Sequence, residues 1–197
     1  MRVGVLALQG AFREHILVFE ALGVSTLAVR LPGQLDSLDG LVIPGGESTA
    51  IAKLMRTYGF YEAVRDRRTE GMAVWGTCAG AILIATEIVD ASSDQEPLGL
   101  MESVVRRNAY GRQVDSFETD LNIDHVGVFR GVFIRAPLIE SVGAEAEVLA
   151  VHEGMIVAAR EGDLLATTFH PELTGDVRLH RYFLDRVVGA TPRTEGI

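Results

Sequence analysis

An α/β fold with a mostly parallel sheet is predicted by three features of the sequence. Short runs rich in Val, Leu and Ile alternate with longer amphipathic stretches through the first half. Two of these runs end in glycine-rich turns, at Pro44-Gly45-Gly46 and Gly76-Thr77-Cys78-Ala79-Gly80. The second half changes character and reads as a series of short strands, which add antiparallel pairing to the sheet. With 197 residues and 48% hydrophobic content, the chain has enough apolar surface for one core and one domain, 1–197.

Val3 to Leu8 reads as the first strand. From Phe12 to Leu22 the apolar positions Phe12, Ile16, Phe19 and Leu22 recur at helical spacing, and Gly23 stops the helix. Strands follow at Val24 to Val29 and Gly40 to Ile43, separated by a loop holding Pro32 and Gly33. Ser48 or Thr49 can cap a helix to Tyr58, and a second helix covers Tyr61 to Arg68. The strand Ala73 to Trp75 leads into Cys78, after which an apolar helix spans Ala81 to Ile88. Further strands are expected at Ser103 to Arg106, Val132 to Ile134, Val148 to Val151, Ile156 to Ala159 and Leu165 to Phe169. His152-Glu153-Gly154 reads as a hairpin turn. An amphipathic helix from Val177 to Val188 and a loose tail, 190–197, complete the chain.

A net charge of −9 argues against nucleic acid or an anionic membrane as the main partner, since both demand a basic face. The N-terminus opens directly into a strand without the leader of a signal peptide, and no apolar run approaches the roughly 18 to 20 residues that span a bilayer. A cytoplasmic protein is expected. Cys78 is the single cysteine, which leaves no internal disulfide and no Cys-based metal cluster.

Between a buried strand and a helix, Gly76 to Gly80 has the arrangement of a nucleophile elbow with sulfur in place of the serine oxygen. Glycines permit the sharp bend, and a helix N-terminus favours a thiolate. Without that context, a lone cysteine is more often a small core residue. Phe169-His170-Pro171-Glu172 supplies a base and an acid at a strand end. In an extended segment residues i and i+2 share a side, so Glu172 can orient the imidazole of His170. The other histidines, His15, His125, His152 and His180, show no such partner in sequence and read as structural or surface residues; none makes a metal-ligand spacing. Pro44 to Ser48 exposes backbone amides at a neighbouring strand end, so the amides of Gly46 and Ala79 are the expected oxyanion hole. In open α/β sheets ligands bind outside the carboxyl ends of the strands, where these three motifs meet.

The motifs PGGES, GTCAG and FHPEL together resemble the class I glutamine amidotransferases, which share a flavodoxin-like three-layer α/β/α fold and a Cys-His-Glu triad. LALQGAFREH, VVRRNAYGRQVDSFE and GVFIRAP narrow the resemblance to the glutaminase subunits of pyridoxal 5'-phosphate synthase, the PdxT/SNO family, over all but the tail. The resemblance implies that L-glutamine is hydrolysed to glutamate and ammonia, with ammonia passed to a (β/α)8-barrel synthase subunit in a large hetero-oligomer for vitamin B6 synthesis. It implies Cys78, His170 and Glu172 as the triad, and Gly46, Glu47, Ser48, Arg107, Ile134 and Arg135 as glutamine-binding positions. Arg107 suits the substrate α-carboxylate and Glu47 its ammonium. Gln9 and Gly10 match a segment that responds to docking of the synthase. The longest departure is the polar loop Asp90 to Pro97. Pyridoxal phosphate would be the partner's product, so no bound cofactor and no metal are expected. A glutaminase serving another synthase, such as the histidine-pathway cyclase, and a non-catalytic regulator remain open alternatives.

Overall fold

Strands that carry apolar side chains on both faces need cover on both sides, and this requirement sets the architecture. β1 (Arg2–Leu6), β3 (Gly40–Ile43) and β4 (Ala73–Thr77) are buried almost throughout. The structure, a computed structural model, describes residues 1–91, 95–107 and 116–189. The tail predicted at 190–197 and part of the polar loop, 92–94, lie outside the described residues, as do residues 108–115 of the middle motif.

The sheet runs in the order β2-β1-β3-β4-β12-β11-β9-β6-β5, with β10 attached to β11. β2 (Ser25–Val29), β1, β3, β4 and β12 (Leu164–Thr167) are parallel neighbours. β11 (Met155–Glu161) pairs antiparallel with β12, β10 (Glu147–His152) and β9 (Leu138–Val142). β9 in turn lies antiparallel to β6 (Met101–Arg106), which is parallel to the edge strand β5 (Ala85–Val89). A separate hairpin joins β7 (Ser116–Ile123) to β8 (Gly127–Ile134).

Two cores fill the faces of the sheet. On one, α2 (Ser48–Thr57), α3 (Phe60–Thr69) and α4 (Ala79–Ile84) press Ile51, Met55, Phe60 and Leu83 against Ile43 and Val74. On the other, α1 (Phe12–Ala21) and α5 (Arg178–Tyr182), which continues as a π-helical turn over Phe183–Val188, enclose Trp75 with Phe19 and Phe183. Each such large side chain contributes about 1.5–3 kcal/mol by leaving water.

Four expectations are corrected. The helix predicted over Ala81 to Ile88 ends at Ile84, because Thr86, Ile88 and Val89 are β-branched and lie along β6, where Ile88 and Val89 pair with Val105 and Arg106 and Thr86 Oγ1 donates to Ser103 O and accepts from Ser103 N. The strand predicted at Val132 to Ile134 is the end of the longer β8. Its partner β7, and β9, are additional to the expected strands, although Phe117, Leu121 and Ile123 follow a period of two. The cap of α2 is Glu47, whose carboxylate accepts from Thr49 N at 3.0 Å and Ala50 N at 2.7 Å, whereas Ser48 is already helical.

Candidate active site

Going from β2 to β1 to β3, the strand order reverses, and the carboxyl ends of β1, β3, β4 and β12 meet around one cavity of about 490 Å³. Cys78 stands at its floor with φ 49° and ψ −105°, a conformation that costs a non-glycine residue on the order of 1–3 kcal/mol. The turn is enforced by contacts on either side. A Cβ on Gly80 would lie 1.9 Å from Ile43 O, and one on Gly76 would lie 2.5 Å from Gly80 O. Only glycines let α4 approach β3 and β4 closely enough to present the sulfur there. Cys78 N is held by Thr167 O at 2.8 Å, and its sulfur lies 3.9 Å from Ile134 O.

His170 arrives from the segment after β12, with its amide bonded to Val132 O at 2.8 Å. Its Nδ1 lies 2.7 Å from Glu172 Oε1. The i, i+2 pairing expected of an extended strand is instead made by a 3-10 turn over Pro171–Leu173, which curls the carboxylate back under the ring. Burial opposes charge on the imidazole, but its hydrogen bonds to Cys78 and Glu172 and their negative charge push it up to about 10. Gly45 completes the convergence, since a Cβ there would stand 2.3 Å from His170 Cε1 and 3.2 Å from Cys78 Cβ.

The glycine loop is tied down by the segment after β1. Gly45 O accepts from Ala11 N at 2.9 Å, and Gln9 Oε1 accepts from Glu47 N at 2.9 Å. Gly10, at φ 96°, lies so close to the loop that a Cβ would meet Gly45 O at 2.0 Å. From below, Thr77 Oγ1 accepts from Gly45 N at 3.0 Å. Gly46 and Ala79 both line the cavity, and Ala79 is the first helical residue of α4, whose amide has no partner within the helix.

Charged groups border the other wall. Arg107 Nη2 is 4.0 Å from Glu47 Oε1, and both side chains face the cavity. Burial works to raise the Glu47 carboxyl, but its bonds to Thr49 and Ala50 and the charge of Arg107 hold it below the usual range. Ser48, Ile134 and Arg135 also line the space, Arg135 at φ 44°. Every residue predicted for the site borders this cavity except Glu172, which stands behind His170. Ile82, Pro137 and Leu173 line it too; Pro137 and Leu173 close the GVFIRAP and FHPEL motifs, while Ile82 carried no signal beyond hydrophobicity.

One reading of the histidines is corrected. His15 and His180 are wholly buried and not without partners, for His15 Nε2 lies 3.3 Å from Glu172 Oε2. His15 falls on the apolar face marked by Phe12, Ile16 and Phe19, and a polar residue on such a stripe was the available signal.

The model of the SNO glutamine amidotransferase family matches residues 5–189. A pyridoxal 5'-phosphate synthase subunit PdxT of Niallia circulans is 57% identical over 188 residues, covering 95% of this chain and 98% of the relative. Its counterpart in Herpetosiphon aurantiacus is 57% identical, covering 93% and 99%. A crystal structure described as a glutamine amidotransferase superposes with a TM-score of 0.90 at 52% identity, covering 95% of this chain and 98% of the other. A glutamine amidotransferase of Thermotoga maritima, at 14% identity and a TM-score of 0.61 over 95% and 98% of the two chains, shares the fold. On its sequence and its fold, the chain belongs to the SNO glutamine amidotransferase family.

Proposed function

We propose that this chain is one glutaminase domain, 1–197, which hydrolyses L-glutamine through Cys78, His170 and Glu172. The observation that carries the reading is a thiol and an imidazole at the floor of a cavity rimmed by Arg107 and Glu47, with the Glu172 carboxylate behind the imidazole. Arg107 takes the substrate α-carboxylate and Glu47 its ammonium. The Cys78 thiolate adds to the side-chain amide carbon, and the amides of Gly46 and Ala79 hold the oxyanion, each donor worth roughly a hundredfold to a thousandfold in turnover. His170 gives its proton to the departing nitrogen, which leaves as ammonia. Water then adds to the thioester with its proton passing to His170, and collapse releases glutamate and the thiolate.

Ammonia released here passes to a (β/α)8-barrel synthase subunit that makes pyridoxal 5'-phosphate, in a cytoplasmic hetero-oligomer. The names of the relatives from Niallia circulans and Herpetosiphon aurantiacus, subunits of that synthase, support this partner over a histidine-pathway cyclase. Gln9 and Gly10, which bind and crowd the glycine loop, form the segment through which docking acts on the oxyanion hole. Glutamate release should therefore rise when the barrel subunit is added to the isolated chain. Equal rates with and without it would contradict the coupling.

A further inference from the structure

Behind the carboxylate of Glu172 the fold buries two more imidazoles, His15 from α1 and His180 from α5, each with no exposure to solvent. His15 Nδ1 lies 2.9 Å from His180 Nε2. Its other nitrogen, Nε2, lies 3.3 Å from Thr77 Oγ1 and 3.3 Å from Glu172 Oε2. Among the described residues Glu172 Oε2 has no hydrogen-bond partner; His15 Nε2, whose hydrogen bond runs to Thr77 Oγ1, stands 3.3 Å from it without hydrogen-bond alignment. Burying polar rings costs free energy unless their hydrogen bonds are met, so a fold that only needed bulk here would be better served by Phe or Leu.

The proton positions follow from the surroundings. Burial drives His15 well below its ordinary value, with the charges of His180 and His170 adding to it, and burial alone takes His180 down to about 3. Trp75 at 5.0 Å and Phe19 at 5.0 Å, both edge-on, wall the His180 ring, so both imidazoles are neutral. Among the described residues His180 Nδ1 has no hydrogen-bond partner. A bare lone pair there is cheaper than an orphaned N–H, so the proton sits on Nε2 and is donated to His15 Nδ1. His15 then carries its own proton on Nε2, facing Oε2, as the negative carboxylate also requires.

We propose that His15, held in this tautomer by His180, is a positioning residue of the triad: its Nε2–H, hydrogen-bonded to Thr77 Oγ1 and 3.3 Å from Glu172 Oε2, steadies that oxygen electrostatically and leaves Oε1 to orient His170. This rests on the triad reading given above. Thr77 Oγ1, which also accepts from Gly45 N at 3.0 Å, ties the same point to the glycine loop. The order is therefore His180, His15, Glu172, His170, Cys78, with the first two groups never touching substrate.

Side-chain amides separate the two nitrogens of His15, since Gln places its N–H near the Nε2 position and Asn near Nδ1. The test compares His15→Gln, His15→Asn and His15→Leu with wild type in the reconstituted complex, reading kcat, KM and the pH profile of kcat/KM. His15→Leu and His15→Asn should lower kcat about tenfold to a hundredfold with KM little changed. Their basic limb should move to lower pH, because a carboxylate no longer held beneath the ring does less to support the charge of His170. His15→Gln should recover most of kcat and the wild-type limb. Equal activity of the Gln and Asn variants, or an unshifted limb in both Leu and Asn, would overturn the proposal. Should His15→Leu not fold, the Gln and Asn pair decides alone. Cys78→Ala, run beside them, separates failure of this relay from failure of the triad, which undiminished release would signal.

Discussion

His170 Nδ1 and Glu172 Oε1 are 2.7 Å apart although only Pro171 separates the two residues. The proline starts the 3-10 turn that folds the carboxylate beneath the ring, and Val132 O holds the His170 amide from the other side. The proposed base and its orienter are thus delivered by three consecutive residues, while the proposed nucleophile, Cys78, directly follows β4.

The raised His170 imposes a pH dependence on stability. Its ordinary value is 6.5 and its folded value about 10, so the folded chain holds a proton the unfolded chain releases between those limits. The stabilisation is complete below 6.5, declines through the interval and is lost above about 10. Urea midpoints of wild type and His170→Gln, measured from pH 6 to 10, should show the wild-type advantage shrinking as pH rises. A constant difference would count against a charged His170.

Gly45 should tolerate no side chain. Gly45→Ala would bring a Cβ to 2.3 Å from His170 Cε1, forcing the imidazole or the loop aside. Overpacking of this kind costs about 1–3 kcal/mol, and displacing the base by an ångström costs about a hundredfold in turnover. Activity of the folded variant, checked against its thermal midpoint, should fall far more than stability does.

Glu47 caps α2 and faces the cavity, and two substitutions separate these roles. Glu47→Ser keeps a capping oxygen but removes the charge, so KM for glutamine should rise with stability nearly unchanged. Glu47→Ala should raise KM and also cost about 0.5–2 kcal/mol through the lost cap. Arg107→Met should raise KM about tenfold to a hundredfold, the worth of a charge-assisted hydrogen bond. Steady-state kinetics and denaturant titration read both outcomes.

Local chemistry made much of this site legible in the sequence. The glycines around Cys78, the Pro after His170 and the loop at Pro44 to Ser48 each need only their neighbours to be understood, and all three end at the same cavity. What escaped depends on distant partners. Ala85 to Val89 directly follows the apolar α4, and its β-branched residues become strand where β6 lies beside them. β7 alternates clearly enough, but its worth as a strand rests on the facing β8, where Phe117 stacks on Phe133 at 4.6 Å. His15 and His180 are 165 positions apart, and no spacing rule brings α1 and α5 together over Trp75.

The most direct test of the account is glutamate release by Cys78→Ala in the complex reconstituted with the barrel synthase subunit. Loss of the nucleophile should lower turnover by at least about a thousandfold, with the circular-dichroism spectrum and assembly unchanged. Release at the wild-type rate would contradict the assignment of Cys78 as the residue that opens the amide.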